Sequence, residues 1–378
     1  MRNINYGVIG AGYFGSELGR VLSKVEGATI KSVYDPERKN ALKLSAELNC
    51  AVDHSIDSLC DRADIDAVIV ASPNGYHKEP VIKSAKNKKH IFCEKPIALS
   101  YKDCKEMIDS ARENGVIFMA GHVMNFMNGV RKAKELINDG VIGDVLFCHA
   151  QRNGWEEPQQ DVSWKKMRDI SGGHLYHHIH ELDFIQFIMG PAKQATMVGG
   201  NVAHQGESFG DEDDMLFITL EFEGNRFATL QYGSAFRWAD HFVKIQGEKG
   251  AILIDMQDVK VVLKTSNHTE TFLLHRTKEE DDDRTNIYLG SETDGAIMYG
   301  NPHKKPPLWL QGIIEMEMNY FHSILQGGEA EEEFKPLLDG TAAMASIATA
   351  DALTRSIHED RKVYVKEVLS DKDDIRSH

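Results

Sequence analysis

The chain is short of several features that would place it in a special class. Its 378 residues include only five cysteines, Cys50, Cys60, Cys93, Cys104 and Cys148, at irregular spacings and with no C-x-x-C pair. An odd, scattered set excludes a disulfide framework and points to reduced thiols. No apolar stretch is long enough to span a bilayer. Basic residues are outnumbered, 43 Lys and Arg against 58 Asp and Glu, giving a net charge of −15 with no basic cluster. Nucleic acids and anionic membranes are thereby excluded as partners, because their phosphates need clustered cations. There is no internal repeat and no low-complexity tract. The N-terminus runs almost directly into an apolar strand, leaving no room for a signal peptide, so a cytoplasmic protein is expected. What remains is ordinary for a globular protein: 42% hydrophobic and 27% charged residues, in a chain long enough for two cores.

The most informative stretch is Tyr6 to Gly15, in which a short apolar run meets Gly10-Ala11-Gly12-Tyr13-Phe14-Gly15. In such a G-x-G-x-x-G turn the first glycine permits a tight turn and the second lets the backbone approach a pyrophosphate. The third lets the following helix pack close to the sheet. The helix beginning near Phe14 points its free amides at the phosphates. A second apolar run, Ala28 to Tyr34, ends at Asp35, 20 residues after Gly15. A carboxylate there accepts hydrogen bonds from ribose hydroxyls and repels a 2′-phosphate, which favours NAD over NADP. An ordinary glycine-rich turn would lack the acid at that distance.

The first 120 residues alternate strand and helix, which implies right-handed crossovers and a parallel, doubly wound α/β Rossmann sheet. Ligands then bind at the carboxyl ends of the strands, where Ser72-Pro73-Asn74-Gly75 and Glu94-Lys95-Pro96 fall. The NAD-binding domain is expected over 1–122. An α+β domain for substrate binding and oligomerisation is expected over 123–378, with a large open, mainly antiparallel sheet. A helix is expected over 175–189, and alternating strands over 215–223, 226–234, 241–247 and 251–256. Leu216, Ile218 and Leu220 are expected to face one way, and Phe217, Thr219 and Glu221 the other. The acidic run 279–283 reads as a solvated loop. The segment 300–307 reads as a loop that serves as a lid or an arm to another subunit. Helices over 310–326 and 340–358 close the chain. The second, rich in small residues, is expected to pack back on the first domain.

With these motifs in order, the chain resembles the glucose–fructose oxidoreductase and inositol dehydrogenase family, often written Gfo/Idh/MocA. The resemblance rests on 10–15, on Ser72-Pro73-Asn74-Gly75-Tyr76-His77, and on Glu94-Lys95-Pro96. It continues through Gly172-Gly173 with His180, Asp183 and Gly190, and ends with Asp339-Gly340-Thr341-Ala342-Ala343. The resemblance implies an enzyme that exchanges hydride between NAD and a hydroxyl or carbonyl of a sugar or cyclitol. Gly10, Gly12, Tyr13, Phe14, Gly15, Asp35, Ser72, Pro73, Asn74, His77, Glu94 and Lys95 are then expected on the cofactor side. The Lys95-Pro96 peptide is expected to be cis.

The resemblance gives Lys95 the role of holding the reacting oxygen and stabilising charge that develops on it. His180 would take the hydroxyl proton, work that suits an imidazole titrating near neutrality. The family usually carries an aspartate four residues before this histidine. Here that position is Tyr176, with His177 as the nearest titratable substitute, so Tyr176 and His177 join the catalytic candidates. His122, Asn125, Arg152, Trp155, Trp164, Lys95, His177 and His180 are expected to line the substrate cleft, the tryptophans by stacking on sugar faces. Lys165 and Lys166, beside Trp164, read as solvated. Within the cluster His174, His177, His178, His180, the pair His177 and His180 could also supply two metal ligands, with a third from His174 or from elsewhere, such as His122 or His149. The family uses no metal, and none is expected.

The main reading is therefore an NAD-dependent dehydrogenase acting on a secondary hydroxyl of a sugar or glycoside, namely C3 of a glucoside, working as a homo-oligomer. The alternatives are an inositol 2-dehydrogenase and a redox-neutral glycosidase that retains NAD. From a different class, a non-catalytic NAD sensor would have no need of Lys95 and His180.

Overall fold

The computed structural model describes residues 2–289 and 306–370. The expected lid or arm over 300–307 lies almost wholly outside them. The chain divides into two units, the first comprising 1–123 with 310–344 and the second chiefly 124–289 and 345–370.

The first unit opens with β1 (Ile4–Ile9), α1 (Tyr13–Leu22), β2 (Ala28–Tyr34), α2 (Arg38–Leu48), β3 (Ala51–Val52) and α3 (Ile56–Cys60). It continues with β4 (Ala67–Val70), α4 (Lys78–Lys86), β5 (His90–Glu94), α5 (Tyr101–Glu113) and β6 (Phe118–Gly121). Its six strands lie in the order β3-β2-β1-β4-β5-β6, and every neighbouring pair is parallel. The expected doubly wound sheet is thus present. Strand order reverses between β1 and β4, the place where such sheets open a crevice at the carboxyl ends of their strands. The central strand β4 is buried along its whole length, as Ala-Val-Ile-Val with no polar member requires. Helix starts follow local chemistry: Ser55 and Ser58 form a reciprocal capping box on α3, and Ser100 accepts the Asp103 amide at the start of α5.

The second unit runs through α6 (Asn128–Asn138), β7 (Val145–Trp155), α7 (Arg168–Ser171), α8 (Gly173–His177) and α9 (His180–Met189). Next come β8 (Gln194–Gly200), β9 (Met215–Phe222), β10 (Arg226–Gly233), β11 (Ala235–Gly247), β12 (Gly250–Asp255), β13 (Lys260–Thr265), β14 (Thr269–Phe272) and α10 (Lys278–Leu289). The chain then continues with α11 (Leu308–Leu325), α12 (Lys335–Leu338), α13 (Thr341–Glu359), β15 (Val363–Tyr364) and α14 (Val365–Ser370). Residues 310–344 count with the first unit, and α13 from Ala345 onward with the second. Nine strands form one sheet in the order β14-β13-β12-β11-β7-β10-β9-β8-β15. β7 and β10 pair in parallel, and the other pairs are antiparallel. On β9, Leu216, Ile218 and Leu220 are buried while Phe217 and Thr219 are exposed, the alternation a half-covered sheet imposes.

Two sequence expectations need correction. The expected helix 175–189 is broken: His178 leaves helical geometry (φ −106°, ψ 39°), so α8 ends at His177 and α9 begins at His180. Side chains on either side of the break are drawn to different partners, as described below. The acidic run 279–283 is helical, within α10, and two of its carboxylates are buried. Asp281 accepts the backbone amides of Leu274 and His275 and the ring Nδ1–H of His275, while Glu280 pairs with Arg276. These acids fold inward because they satisfy a turn's free amides.

Candidate active site

The glycine turn of the first unit is shaped by contacts a side chain would destroy. Gly10 has φ +95°, and a Cβ there would lie 2.6 Å from the backbone of Ala71 and Ser72. A Cβ on Gly15 would meet the Gly10 carbonyl at 1.9 Å. At Gly12, by contrast, a Cβ would find nothing within 4 Å. The glycine that should face a pyrophosphate thus borders open space, while its two companions are packed against protein. α1 starts at Tyr13 and Phe14 with no side chain capping its first turn, which leaves amides to meet an anion. Asp35 follows β2, and its Oδ2 accepts the Ala11 amide at 2.7 Å and its Oδ1 the Glu37 amide at 2.8 Å. The acid therefore braces the glycine turn and retains lone pairs for ribose hydroxyls. This residue set fits NAD.

The loop after β4 forms a short 3-10 turn, Asn74–Tyr76, entered through Pro73. The Ser72 hydroxyl donates to the Tyr76 carbonyl at 3.2 Å, and Asn74 is buried. His77 differs from expectation. Its Nδ1 lies 3.0 Å from the Pro96 carbonyl and its Nε2 2.7 Å from the Ser72 carbonyl, and its ring is buried. With both nitrogens taken up by backbone, His77 ties the 72–77 loop to the 94–96 loop and offers no ring nitrogen to a cofactor.

The Lys95-Pro96 peptide is cis. Lys95 is half-buried directly after β5, and its amide donates to the Glu94 carboxylate at 3.2 Å. Glu94 is buried, and its Oε1 has no hydrogen-bond partner among the described residues. Nearby, Glu317 of α11 is fully buried, and neither of its carboxyl oxygens has a hydrogen-bond partner among the described residues. Burial first, and the negative field of Glu94 second, hold the Glu317 carboxyl well above the usual range. Burial likewise raises Glu94, and the adjacent Lys95 opposes it. Nothing in the local sequence around Glu317 signalled this pair.

In the second unit the histidine segment is anchored on both sides of its break. Before it, the Tyr176 hydroxyl donates to Asp351 of α13, both side chains being buried. After it, Glu181 is fully buried among Arg152 (3.3 Å), His241 Nε2 (2.8 Å) and the Tyr232 hydroxyl (3.4 Å). Burial works against ionisation of Glu181, but the Arg152 guanidinium and the His241 hydrogen bond outweigh it and bring its pKa down to about 2. Asp183 accepts from Asn125 Nδ2 at 3.0 Å and from the Ser346 hydroxyl at 2.9 Å, so it serves the fold. His180 itself is buried at the first position of α9.

Several expected cleft residues are engaged within the protein. Arg152 is committed to Glu181, and Asn125 to Asp183 through its amide nitrogen, while Asn125 Oδ1 is buried with no hydrogen-bond partner among the described residues. The Trp155 ring is covered by the Arg237 guanidinium at 3.4 Å and met edge-on by His204 at 4.7 Å, so it is no open platform for a sugar. Trp164 packs edge to face with His177 at 5.9 Å, which places it beside the histidine segment. His122 is buried just past β6. His174 lies 3.8 Å from Glu212, and His149 sits on the sheet with its Nδ1 2.8 Å from the Thr229 hydroxyl. Among the described residues no three His, Cys, Asp or Glu side chains are grouped to hold a metal ion, and no helix is long and apolar enough to cross a membrane.

Sequence reading missed Glu181, His241, Asp351, Glu212 and Glu317. Only Glu181 carried a signal, as the acid immediately following the expected catalytic histidine. Asp351 stands alone in a run of small residues, Ala348-Thr349-Ala350-Asp351-Ala352, where a buried acid is easily taken for a surface one.

Comparison with known proteins finds matches over both parts of the chain. Residues 4–122 match the model described as "Oxidoreductase family, NAD-binding Rossmann fold", and residues 134–366 match "Oxidoreductase family, C-terminal alpha/beta domain" of the same Gfo/Idh/MocA group. The chain is 59% identical over 372 residues to a 2,7-anhydro-N-acetylneuraminate hydratase of Mediterraneibacter gnavus, covering 98% of this chain and 99% of that one. It is 55% identical to a 2,7-anhydro-N-acetylneuraminate hydratase of Escherichia coli, covering 97% and 98%. The solved structure of levoglucosan dehydrogenase in complex with NADH shares the fold at a TM-score of 0.78 and 19% identity, covering 96% of this chain and 99% of that one.

Proposed function

Since this chain belongs to the Gfo/Idh/MocA oxidoreductase family and carries its NAD-binding Rossmann domain, we propose that it is a redox-neutral hydratase of an anhydro sugar acid. The substrate would be 2,7-anhydro-N-acetylneuraminate, opened by water to N-acetylneuraminate. The observation that carries the reading is the 59% and 55% identity, over nearly full length, to two proteins of that activity. Glucoside oxidation at C3 and inositol oxidation at C2 have no support of comparable strength, and the alternative that retains NAD through a net non-redox reaction takes their place.

Bound NAD supplies a reversible hydride acceptor for one ring carbon. The remaining chemistry falls to the chain's own residues and follows from where the bridge oxygen leaves. Breaking the C2–O7 bond by elimination needs an acidic hydrogen at C3, hence a carbonyl at C4. Lys95 holds the C4 oxygen and stabilises its developing charge, while His180 takes the hydroxyl proton and later returns it. A second base must remove the C3 proton and pass it to the departing O7; the water that then adds leaves its hydroxyl at C2 and delivers a solvent-derived proton to C3. His177, just before the helix break and packed against Trp164, is assigned that role. Tyr176, held by Asp351, fixes the start of the segment.

The test is incubation of the NAD-loaded protein with 2,7-anhydro-N-acetylneuraminate in deuterated water, followed by nuclear magnetic resonance and absorbance at 340 nm. Release of N-acetylneuraminate with deuterium at C3 and no accumulating NADH is the expected result. Stoichiometric NADH from myo-inositol or a glucoside, with the anhydro sugar untouched, would replace this reading with a dehydrogenase.

A further inference from the structure

A substrate of this class brings a carboxylate into the site, and the second unit's basic side chains near the histidine segment are mostly spent. Arg152 is paired with Glu181. Lys166 is paired with both Glu156 and Glu212. Arg168 is paired with Asp213, and Arg237 lies on Trp155. Lys165 is different. It is the middle residue of the 3-10 turn Trp164–Lys166 and half-buried, and its ammonium makes no hydrogen bond, ion pair or ring contact with any described residue.

The turn that carries it is held rigidly from both flanks. On one flank Trp164 packs on His177 at 5.9 Å. On the other, the Lys166 ammonium lies 2.6 Å from Glu212, which in turn lies 3.8 Å from His174. The Lys166 carbonyl accepts the Asp211 amide at 3.1 Å, and Gly210 packs so closely that a Cβ there would lie 2.4 Å from the same oxygen. A cation on a fixed turn, beside the histidine segment and with its neighbour already neutralised, is preorganised for an anion that is not part of the protein. Its environment penalises the charge meanwhile: burial, and then the repulsion of Lys166, lower the Lys165 pKa, a cost that a bound carboxylate offsets.

We propose that Lys165 binds the substrate's carboxylate and so sets the enzyme's preference for sugar acids over neutral sugars. The proposal rests on the hydratase reading and adds the residue that recognises the acid. It also explains how a chain of net charge −15 admits an anion: one desolvated cation is sufficient where a phosphate-binding arginine cluster is absent.

The test pairs a protein change with a ligand change on the full NAD-loaded chain. Affinities for N-acetylneuraminate and for its methyl ester are measured by calorimetry in wild type, Lys165→Met and Lys165→Arg, together with turnover of the anhydro substrate. Wild type is expected to prefer the free acid by roughly 30-fold, the size of a charge-assisted hydrogen bond. Lys165→Met should bind acid and ester alike, at the ester's level, with a raised KM, while Lys165→Arg, which keeps the charge, retains a preference. NAD binding stays unchanged in both variants and shows that they are folded. Turnover by wild type with an acid preference that survives in Lys165→Met overturns the assignment and leaves the hydratase reading standing. Wild type that neither turns over the anhydro acid nor binds either ligand removes the hydratase reading, and the assignment with it.

Discussion

The Tyr176 hydroxyl donates to the carboxylate of Asp351, a residue 175 positions further along the chain. Tyr176 stands where the family usually carries an aspartate, so the structure returns a carboxylate to the neighbourhood from α13. Tyr176→Phe leaves Asp351 buried without this donor and should cost about 1–3 kcal/mol of stability. Turnover should fall as well, with KM for substrate little changed. Adding Asp351→Asn to Tyr176→Phe should recover part of the stability and none of the rate. Denaturant unfolding and initial rates measure both, and an unaltered Tyr176→Phe protein would remove the pair from the mechanism.

Lys95→Ala should lower turnover by about a thousandfold, the scale of losing a group that stabilises developing charge. Binding of NAD, followed by fluorescence of the reduced cofactor, should remain near wild type, because the glycine turn and Asp35 are untouched. A variant that keeps its rate would remove Lys95 from the mechanism.

Two buried glutamates give stability opposite dependences on pH. Glu181 has a folded pKa of about 2 against an ordinary 4.5, so its contribution is complete above 4.5 and is lost as pH falls toward 2. The loss amounts to about 3 kcal/mol. Glu317 is raised, so the stability linked to its protonation is complete below its ordinary range and is lost as pH rises above it. Glu181→Gln should weaken the fold at neutral pH and remove part of the acid limb. Glu317→Gln should flatten the decline on the neutral side. Calorimetric melting between pH 3 and 8 distinguishes them, and parallel curves for wild type and both variants would contradict the assignments.

One face of the nine-stranded sheet exposes Val198, Phe217 and Phe227. Val198 and Phe217 lie directly opposite each other on β8 and β9, and Phe227 pairs with Glu221 on that same face. An apolar patch of this kind calls for a cover, and a second copy of the chain is the expected one. Light scattering should show an oligomer for wild type and smaller species for Phe217→Glu with Phe227→Glu. A monomeric wild type would refute it.

Much of the first unit was legible because its signals are local. Gly10, Gly12 and Gly15 stand at a fixed short spacing in one turn, and apolar runs alternating with helices set its parallel sheet. Much of the candidate site was not legible, because its charges are matched across long separations. Arg152 and Asn125 read as cleft residues until Glu181 and Asp183 claimed them, and His77 read as a ligand until two carbonyls occupied its ring. The helix over 175–189 had the right periodicity, yet it breaks at His178 where Tyr176 and Glu181 are held by different partners.

The sequence by itself determined the family, the NAD turn, the doubly wound sheet and the positions of Lys95 and His180, since each rests on residue type and short spacing. Tertiary structure alone decided which carboxylates are buried, which cations they neutralise, and that the half-buried Lys165 ammonium has no ion-pair partner among the described residues. Burial and pairing of charge depend on what folding brings within a few ångströms, and no local pattern records that.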